Sequence, residues 1–240
     1  MSKARATLCI GCWQNIRVPV PLRGVASLPF RAFGVRPSRM NPNTCTICEM
    51  MFSRVMKARQ ITIDATVLFA DLRGYTALTQ SSSAGEIGEL LDTFYDAAAE
   101  AIWEYDGLLN KTMGDAVMAV FNFPIRRDDH AQRAVLAARR IQDDCKKLKA
   151  SLGDSAAPVG VGIGVDCGEL NFGEFGRRHH DLTVVGTVVN LAARAQAAAA
   201  AGEILVTESV RKRLSPVEAS DSGREYALKG FEEPTRLWAA

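Results

Sequence analysis

Two aspartates stand at chain reversals, and their spacing suggests metal and phosphate chemistry. Asp71 ends the apolar run VLFA, and Gly74 follows three residues later. Asp115 lies in the turn of NKTMGDAVMAVF, between two apolar stretches. If the strands that carry them are neighbours, the two carboxylates share one sheet edge. A divalent cation such as Mg²⁺ would relieve their repulsion and leave positions for substrate phosphates. Two unrelated turn aspartates would fit the same spacing, because Asp is common in turns.

Four of the six cysteines form two CxxC pairs, CIGC (Cys9 and Cys12) and CTIC (Cys45 and Cys48). Paired spacing of this kind suits a tetrahedral Zn²⁺ site with four thiolates. Without a secretory signal, a metal site is favoured over disulfides. We therefore expect a structural zinc site, with an iron–sulfur cluster or a redox-active dithiol as the alternatives.

The pattern from residue 61 onward predicts alternating strands and helices that would position the two aspartates. ITIDATVLFAD is typical of a strand, and a helix with apolar residues at helical spacing follows, capped by Ser81 to Ser83 and ended by Gly107. GLLNKTMGDAVMAVFNF predicts two strands joined by a tight turn at 113–115. A second long helix, two strands, a helix ending at Gly202 and further strands complete the order. This order predicts an α+β fold, ferredoxin-like or palm-like, with an antiparallel-rich sheet and helices on one face.

Charge divides the chain into a basic leader and an acidic body. Residues 1–60 hold ten Lys and Arg and one acidic residue, whereas residues 61–240 hold nineteen Lys and Arg and twenty-six Asp and Glu. We interpret residues 1–50 as a basic four-cysteine leader, 51–60 as a linker helix and 61–240 as a catalytic domain. The leader would dock on the acidic body or on an acidic protein partner, and a solvated extension fits its composition as well. No apolar run has the ~20 residues of a membrane helix, and we expect a cytoplasmic protein.

Several long motifs closely resemble the class III nucleotidyl cyclases. They are VLFADLRGYTALT, NKTMGDAVMAVF, and LTVVGTVVNLAARAQ with GEILVT after it. The resemblance covers about 61–240, in the family's order and spacing, and is to the adenylyl cyclase catalytic domain in particular. It implies the conversion of ATP to 3′,5′-cyclic AMP and pyrophosphate.

The resemblance also assigns roles to individual residues. Asp71, the Leu72 carbonyl and Asp115 match the ligands of two Mg²⁺ or Mn²⁺ ions. Asn190 and Arg194 match the two residues that act on the transition state. Their i, i+4 spacing places both on one face of a helix.

Further matches concern nucleotide binding. Lys111 and Thr183 match the residues that read the base, and this pair favours ATP, because GTP-specific members generally carry Glu and Cys there. The backbone around Gly74, Tyr75 and Thr76 matches the segment that holds phosphates. Lys229 matches a lysine near the triphosphate.

In this family the metal aspartates come from one subunit, while the base-reading and transition-state residues come from the other. The resemblance therefore implies a homodimer with two shared sites. Alternatives are a guanylyl cyclase and a zinc-binding interaction protein with a degenerate cyclase domain. A diguanylate cyclase is disfavoured, because the turn here is MGDAV instead of a GGDEF-type turn.

Overall fold

The computed structural model describes residues 5–51, 60–152, 160–175, 181–214 and 222–240. Along the chain the elements are α1 (Ile10–Ile16), a 3-10 turn (Val25–Ser27), α2 (Leu28–Ala32), α3 (46–51), β1 (Ile61–Arg73), α4 (Tyr75–Ser81), α5 (Ala84–Glu104), β2 (Leu108–Met113), β3 (Ala116–Phe121), α6 (His130–Leu152), β4 (Gly160–Phe175), β5 (Asp181–Val185), α7 (Thr187–Ala198), β6 (Ile204–Val206), α8 (Glu208–Arg211), β7 (Arg224–Tyr226) and β8 (Thr235–Ala239).

The strands form one sheet in the order β2-β3-β1-β4-β6-β8-β7, and β5 pairs with β4 beside this path. The long strands β1 and β4 pair antiparallel over their whole shared length, from Ile61 opposite Phe172 to Arg73 opposite Gly160. Among the described pairs, β4 with β6 is parallel and the others are antiparallel. The predicted α+β class with an antiparallel-rich sheet is confirmed.

Hydrophobic side chains fill both faces of the sheet. On one face, Leu68 and Ala70 of β1 belong to a buried cluster with Phe94 of α5 and Ile141 of α6. On the other face, residues of β1 such as Val67 join a second cluster with residues of α7. The prediction of helices on one face is correct for the long helices α5 and α6 but wrong for α7, which covers the opposite face. Successive strand residues point to opposite faces, so β1, which is apolar at consecutive positions, needs helices on both sides.

Local sequence explains the boundaries of α5. The Ser83 side chain accepts a hydrogen bond from the Glu86 backbone N–H, and Glu86 bonds back to Ser83, which makes a capping box. The helix ends at Glu104, three residues before Gly107. A Cβ at Gly107 would lie 2.6 Å from Phe121 and 2.8 Å from Ile102. Gly107 is therefore required by packing beside β3 and not by the helix end itself.

The α7 helix is shorter than predicted. The alanine run to residue 201 suggested a helix up to Gly202, but α7 ends at Ala198 and Ala199 is extended. The carbonyls of Gln196 and Ala199 accept hydrogen bonds from Arg73, and the Gly202 N–H donates to Val161 at 2.9 Å. These contacts with β1 and β4 outweigh the helix propensity of alanine, which is a weak preference.

The leader packs on the acidic body. The side chain of Arg5 makes an ion pair with Glu100 of α5, and the Gln14 side chain pairs with the backbone of Arg126. The acidic contact of the leader is thus made within the chain, and an acidic protein partner is not supported. Most of the predicted linker helix, 51–60, lies outside the described residues, and α3 is described over residues 46–51. None of the described helices is long and apolar enough to span a membrane.

Candidate active site

The two aspartates lie at one end of neighbouring strands. Asp71 of β1 stands opposite Ala116 of β3, and Asp115 belongs to the two-residue loop that joins β2 to β3. Gly114, the first residue of this loop, has φ +62°, a conformation that glycine adopts without strain. The Leu72 N–H donates to the Asp115 carbonyl at 3.0 Å, so the hairpin tip is attached to the end of β1.

The electrostatics of Asp71 suit a bound cation. Its side chain is 23% exposed, and burial together with the nearby charge of Asp115 raises the pKa of its carboxyl above the ordinary value. Arg73 opposes this rise through an ion pair of 3.0 Å with one oxygen of Asp71. The oxygens of Asp71 and of the neighbouring Asp115 form a donor set of hard ligands, which fits Mg²⁺ or Mn²⁺. The third predicted ligand is the carbonyl of Leu72, a buried residue that follows Asp71 directly.

Arg73 was not among the residues predicted from the sequence. Besides its ion pair with Asp71, its guanidinium donates to the Ala199 carbonyl at 3.1 Å and to the Gln196 carbonyl. It lies over Gly162 of β4, where a Cβ would come within 2.5 Å of its Nε. Arg73 therefore connects the end of β1, beside Asp71, to the end of α7. Its position two residues after Asp71, on the same face of β1, was the signal available in the sequence.

The backbone after Asp71 turns into α4. Gly74 has φ +81° and stands at the N-terminus of that helix, and Tyr75 and Thr76 open its first turn. The first N–H groups of a helix have no partner within the helix and attract anions. The predicted phosphate segment thus presents backbone donors directly after the strand that carries Asp71.

Tyr95 of α5 is a second residue that the sequence did not reveal. Its hydroxyl donates to the Gly114 carbonyl, which connects the long helix to the turn that carries Asp115. Burial and the nearby Tyr75 and Asp115 raise the pKa of Tyr95 above its ordinary value. In the sequence Tyr95 contributed only to the apolar period of the helix, because periodicity does not show where a hydroxyl reaches.

The two residues predicted to read the base lie on adjacent segments of β2 and β5. The register of β2 against β3 shifts between Leu109 and Lys111, so Asn110 forms a bulge. The Asn110 amide donates to the Leu182 carbonyl at 3.3 Å and its oxygen accepts from the Thr183 hydroxyl at 3.5 Å. Lys111 and Thr183 are both half-buried. The structure thus brings Thr183 to the residue that precedes Lys111.

The two residues predicted to act on the transition state lie on the outer side of α7. Asn190 and Arg194 are exposed, whereas Val188, Ala192 and Ala195 are buried against the sheet. At 3.6 residues per turn the two polar side chains project from the opposite side of the helix to this buried stripe. They therefore point away from the sheet that carries Asp71 in the same chain.

Lys229 lies exposed in the segment between β7 and β8. The preceding residue, Leu228, is buried in a cluster with Ala195 and Ala199 at the end of α7. This packing fixes the backbone beside Lys229. The role of its ammonium group at a triphosphate stays a prediction.

The four leader cysteines converge on one point. Cys9 precedes α1 and Cys45 precedes α3, and each sulfur accepts a hydrogen bond from the N–H three residues on, at 3.3 and 3.5 Å. All four Sγ atoms lie within 4.8 Å of one another, with Cys12 and Cys48 at 3.2 Å. A tetrahedral ion with Zn–S bonds of about 2.3 Å has its sulfurs ~3.8 Å apart. The sulfurs are thus too far apart for disulfides and suitably spaced for one metal ion.

The protonation of the four thiols is uneven. The nearby thiols of Cys48 and Cys9 hold the pKa of Cys45 below its ordinary value. Burial raises the pKa of Cys12 to about 12. Thiolates are the form that binds metal, so a bound cation would displace the remaining protons.

Taken together, a palm-like sheet, two aspartates at a strand end and a hairpin, and a helix with outward Asn and Arg define a nucleotidyl cyclase domain. The sequence profile described as the Adenylate and Guanylate cyclase catalytic domain matches residues 57–238. The chain belongs to this family.

The chain is similar in sequence to one protein named adenylate cyclase and to several uncharacterized proteins. The chain is 33% identical over 184 residues to a protein of Anabaena cylindrica named adenylate cyclase, covering 72% of this chain and 36% of that protein. It is also 33% identical over 178 residues to an uncharacterized protein of Mycobacterium tuberculosis, covering 72% of this chain and 32% of that protein. The chain thus spans about a third of the length of these relatives.

Solved structures of similar fold include an adenylyl cyclase and a guanylyl cyclase. The adenylyl cyclase CyaB of P. aeruginosa has 28% identity and a TM-score of 0.69, with 75% of this chain and 95% of that chain covered. The guanylyl cyclase Cya2 has 24% identity and a TM-score of 0.68, with 75% and 92% covered. The second similarity concerns the fold alone.

Proposed function

We propose that this protein is an adenylyl cyclase, which converts ATP to 3′,5′-cyclic AMP and pyrophosphate. The observation that carries the choice of ATP is the pair Lys111 and Thr183, which lie on adjoining segments of β2 and β5. Lys111 only donates hydrogen bonds, which suits the acceptor N1 of adenine. The Thr183 hydroxyl accepts from the 6-amino group. Guanine carries a proton at N1, so its N1–H donor would lie opposite the ammonium donor of Lys111, and no hydrogen bond could form.

The chemistry divides among the remaining residues. Asp71, Asp115 and the Leu72 carbonyl hold two divalent cations, Mg²⁺ or Mn²⁺, which lower the pKa of the 3′-hydroxyl and neutralise the phosphates when bound. The backbone N–H groups near Gly74, Tyr75 and Thr76 bind phosphate oxygens. This arrangement positions the triphosphate beside the carboxylates.

The polar pair on α7 acts on the reacting centre. Asn190 orients the ribose, and Arg194 meets the negative charge that develops on the α-phosphate. A guanidinium remains charged at every working pH and offers several donors, which suits this role. Lys229 adds a positive charge near the triphosphate.

The active unit is a homodimer with two shared sites. Support comes from the direction of Asn190 and Arg194, which face away from the sheet of their own chain. In a two-fold dimer the same surface is used twice, so each site combines the aspartates of one subunit with the helix of the other.

The leader holds one structural Zn²⁺ ion. Support comes from the distances between the four sulfurs, which match one tetrahedral ion. In an iron–sulfur cluster the thiolates are divided between two or more irons and lie further apart. Metal analysis of the purified chain tests this assignment, and iron with inorganic sulfide would contradict it.

Substrate choice is tested by exchanging the base-reading pair. We expect the wild-type chain to use ATP with a kcat/KM at least about 100-fold above that for GTP, since a mismatched polar group in a site built to hydrogen-bond is strongly rejected. The double variant Lys111→Glu with Thr183→Cys should invert or abolish this preference while the metal dependence is retained. A wild-type chain that prefers GTP, or a double variant with unchanged selectivity, would contradict the proposed reading of the base.

A further inference from the structure

The leader covers an open edge of the catalytic sheet. In the described part of the chain β2 is the edge strand at one end of the sheet, and edge strands expose unpaired backbone groups. The Met40 carbonyl accepts hydrogen bonds from the Leu109 N–H at 3.1 Å and from the Trp103 indole at 2.7 Å. The Asn41 side chain donates to the Gly107 carbonyl at 2.8 Å. Two consecutive leader residues thus hold the start of β2.

The same two residues are connected to the metal-binding cysteines. Asn41 is completely buried, and its carbonyl accepts from the backbone N–H and the hydroxyl of Thr44, at 2.9 and 2.8 Å. Cys45 follows Thr44 directly. On the other side, the Asn43 carbonyl accepts from the Ile10 N–H at 3.0 Å, where the first CxxC pair begins. The 41–44 loop is therefore held between both CxxC pairs.

On the catalytic side the contact reaches the base-reading residues within two positions. Leu109, which bonds to Met40, precedes the bulge at Asn110. Asn110 contacts both the Leu182 carbonyl and the Thr183 hydroxyl. A change in the position of Leu109 moves Asn110 and the neighbouring Lys111 together.

We propose that the four-cysteine leader is a zinc-dependent clamp on β2, and that occupation of the zinc site sets the affinity for the nucleotide base. The inference rests on the proposed function, because its main readout is the affinity for ATP. Asn41 is the positioning residue through which the clamp acts.

Zinc decides whether the clamp is formed because the leader has little else to hold it. Segments of fewer than about 40 to 50 residues rarely bury enough apolar surface to fold without a metal or disulfides. The buried cluster of the leader consists of the four cysteines with Val20, Leu22 and Val35. Loss of the metal leaves hydrogen bonds, between the thiols and from the Ile10 N–H to the Asn43 carbonyl, to connect α1 with the segment before the 45–48 turn. We expect these bonds to be too weak to hold the 41–44 loop in place.

The experiment uses the full chain with zinc bound, and two matched substitutions in the leader. Asn41→Ala removes the side chain that reaches Gly107. Asn15→Ala is the control, because the Asn15 amide donates to the Gly11 carbonyl within the leader, at 2.9 Å. Zinc per chain is measured for each protein. Hydrogen exchange of the peptide that contains Leu109 and steady-state cyclase kinetics are then recorded with zinc present, and after a zinc-selective chelator in excess Mg²⁺.

We expect Asn41→Ala to keep one zinc per chain, to speed exchange at Leu109, and to raise the KM for ATP about 5- to 20-fold with kcat within about twofold. Chelation of the wild type should give the same rise in KM, and chelation of Asn41→Ala should add nothing. Asn15→Ala should match the wild type.

The results that overturn the clamp are distinct from those that overturn the proposed function. An Asn41→Ala chain with full zinc, faster exchange at Leu109 and a normal KM would refute the coupling to the nucleotide. A chelator effect on KM that persists in Asn41→Ala would show that the metal acts by another route. A chain that loses protection at Leu109 when zinc is removed, yet forms no cyclic nucleotide, would contradict the proposed activity and with it the link to ATP.

Discussion

The proposed shared active site makes a quantitative prediction about mixtures of inactive variants. Asp71→Ala removes a proposed metal ligand on β1, and Arg194→Ala removes the guanidinium on the outer side of α7. These two side chains project in different directions within one chain, so each chain contributes them to different sites. Both chains of a variant homodimer carry the same substitution, and the homodimer therefore lacks the same group in both of its sites. Loss of one charge-stabilising group at a reacting centre typically lowers kcat by about 10²–10³-fold. Each variant alone should therefore retain less than about 1% of the wild-type activity.

Mixing the two variants restores intact sites in a predictable proportion. If subunits exchange freely, about half of the dimers combine one chain of each kind. In such a dimer one site has both mutated groups, and the other site has the intact Asp71 of one chain and the intact Arg194 of the other. Half of the dimers with one of two sites intact gives about one quarter of the wild-type specific activity.

The assay is cyclic nucleotide formation by equal mixtures after co-refolding or prolonged incubation, with the dimer content measured by light scattering. The matched control is a mixture of Asp71→Ala with Asp115→Ala. Both aspartates of a site come from one chain, so this mixture should stay inactive. Equal recovery in both mixtures, or no recovery in the first although mixed dimers are present, would refute the shared site.

Three further predictions concern the fold. Phe94→Ala empties a fully buried position between α5 and the sheet and should lower the free energy of unfolding by about 3–5 kcal/mol in denaturant titrations, and a loss below ~1 kcal/mol would contradict the packing. Gly164→Ala places a Cβ against the backbone of Gln196 and should destabilise the protein by at least ~1 kcal/mol and displace α7, and a variant as stable as wild type would contradict the close approach. His130 is buried between the Thr66 hydroxyl and the Arg213 guanidinium, and burial lowers its pKa below the ordinary value. The imidazole therefore binds a proton more readily in the unfolded chain than in the folded chain. Stability should fall as the pH drops through 6.5, by at most ~1.4 kcal/mol per unit, and His130→Gln should show a smaller fall; equal slopes would contradict this assignment.

Much of the catalytic domain follows from local sequence signals. The apolar run that ends at Asp71, the turn around Gly114 and the cap at Ser83 are each determined by residues within a few positions, and the structure has a strand, a hairpin and a helix N-terminus there. Their pairing into one sheet follows because few arrangements bury both faces of such strands.

Contacts between distant segments set the limits of the prediction. The end of α7 at Ala198 depends on Arg73, which is more than 120 residues away and competes for the helix carbonyls. The contact of Met40 with Leu109 likewise joins segments that no local pattern relates. The role of Asn110 was not predicted for the same reason, since its hydrogen bond to β5 forms only when the sheet is assembled.

The most direct test of the proposed activity is identification of the product. The purified full chain is incubated with ATP or with GTP, in the presence of Mg²⁺ or Mn²⁺, and the nucleotides are separated and identified by mass spectrometry. We predict 3′,5′-cyclic AMP and pyrophosphate in equal amounts from ATP, with little cyclic GMP from GTP, and no product from Asp71→Ala. Failure to form a cyclic nucleotide from either substrate with either metal would contradict the proposed function, and cyclic GMP as the main product would contradict the role given to Lys111 and Thr183.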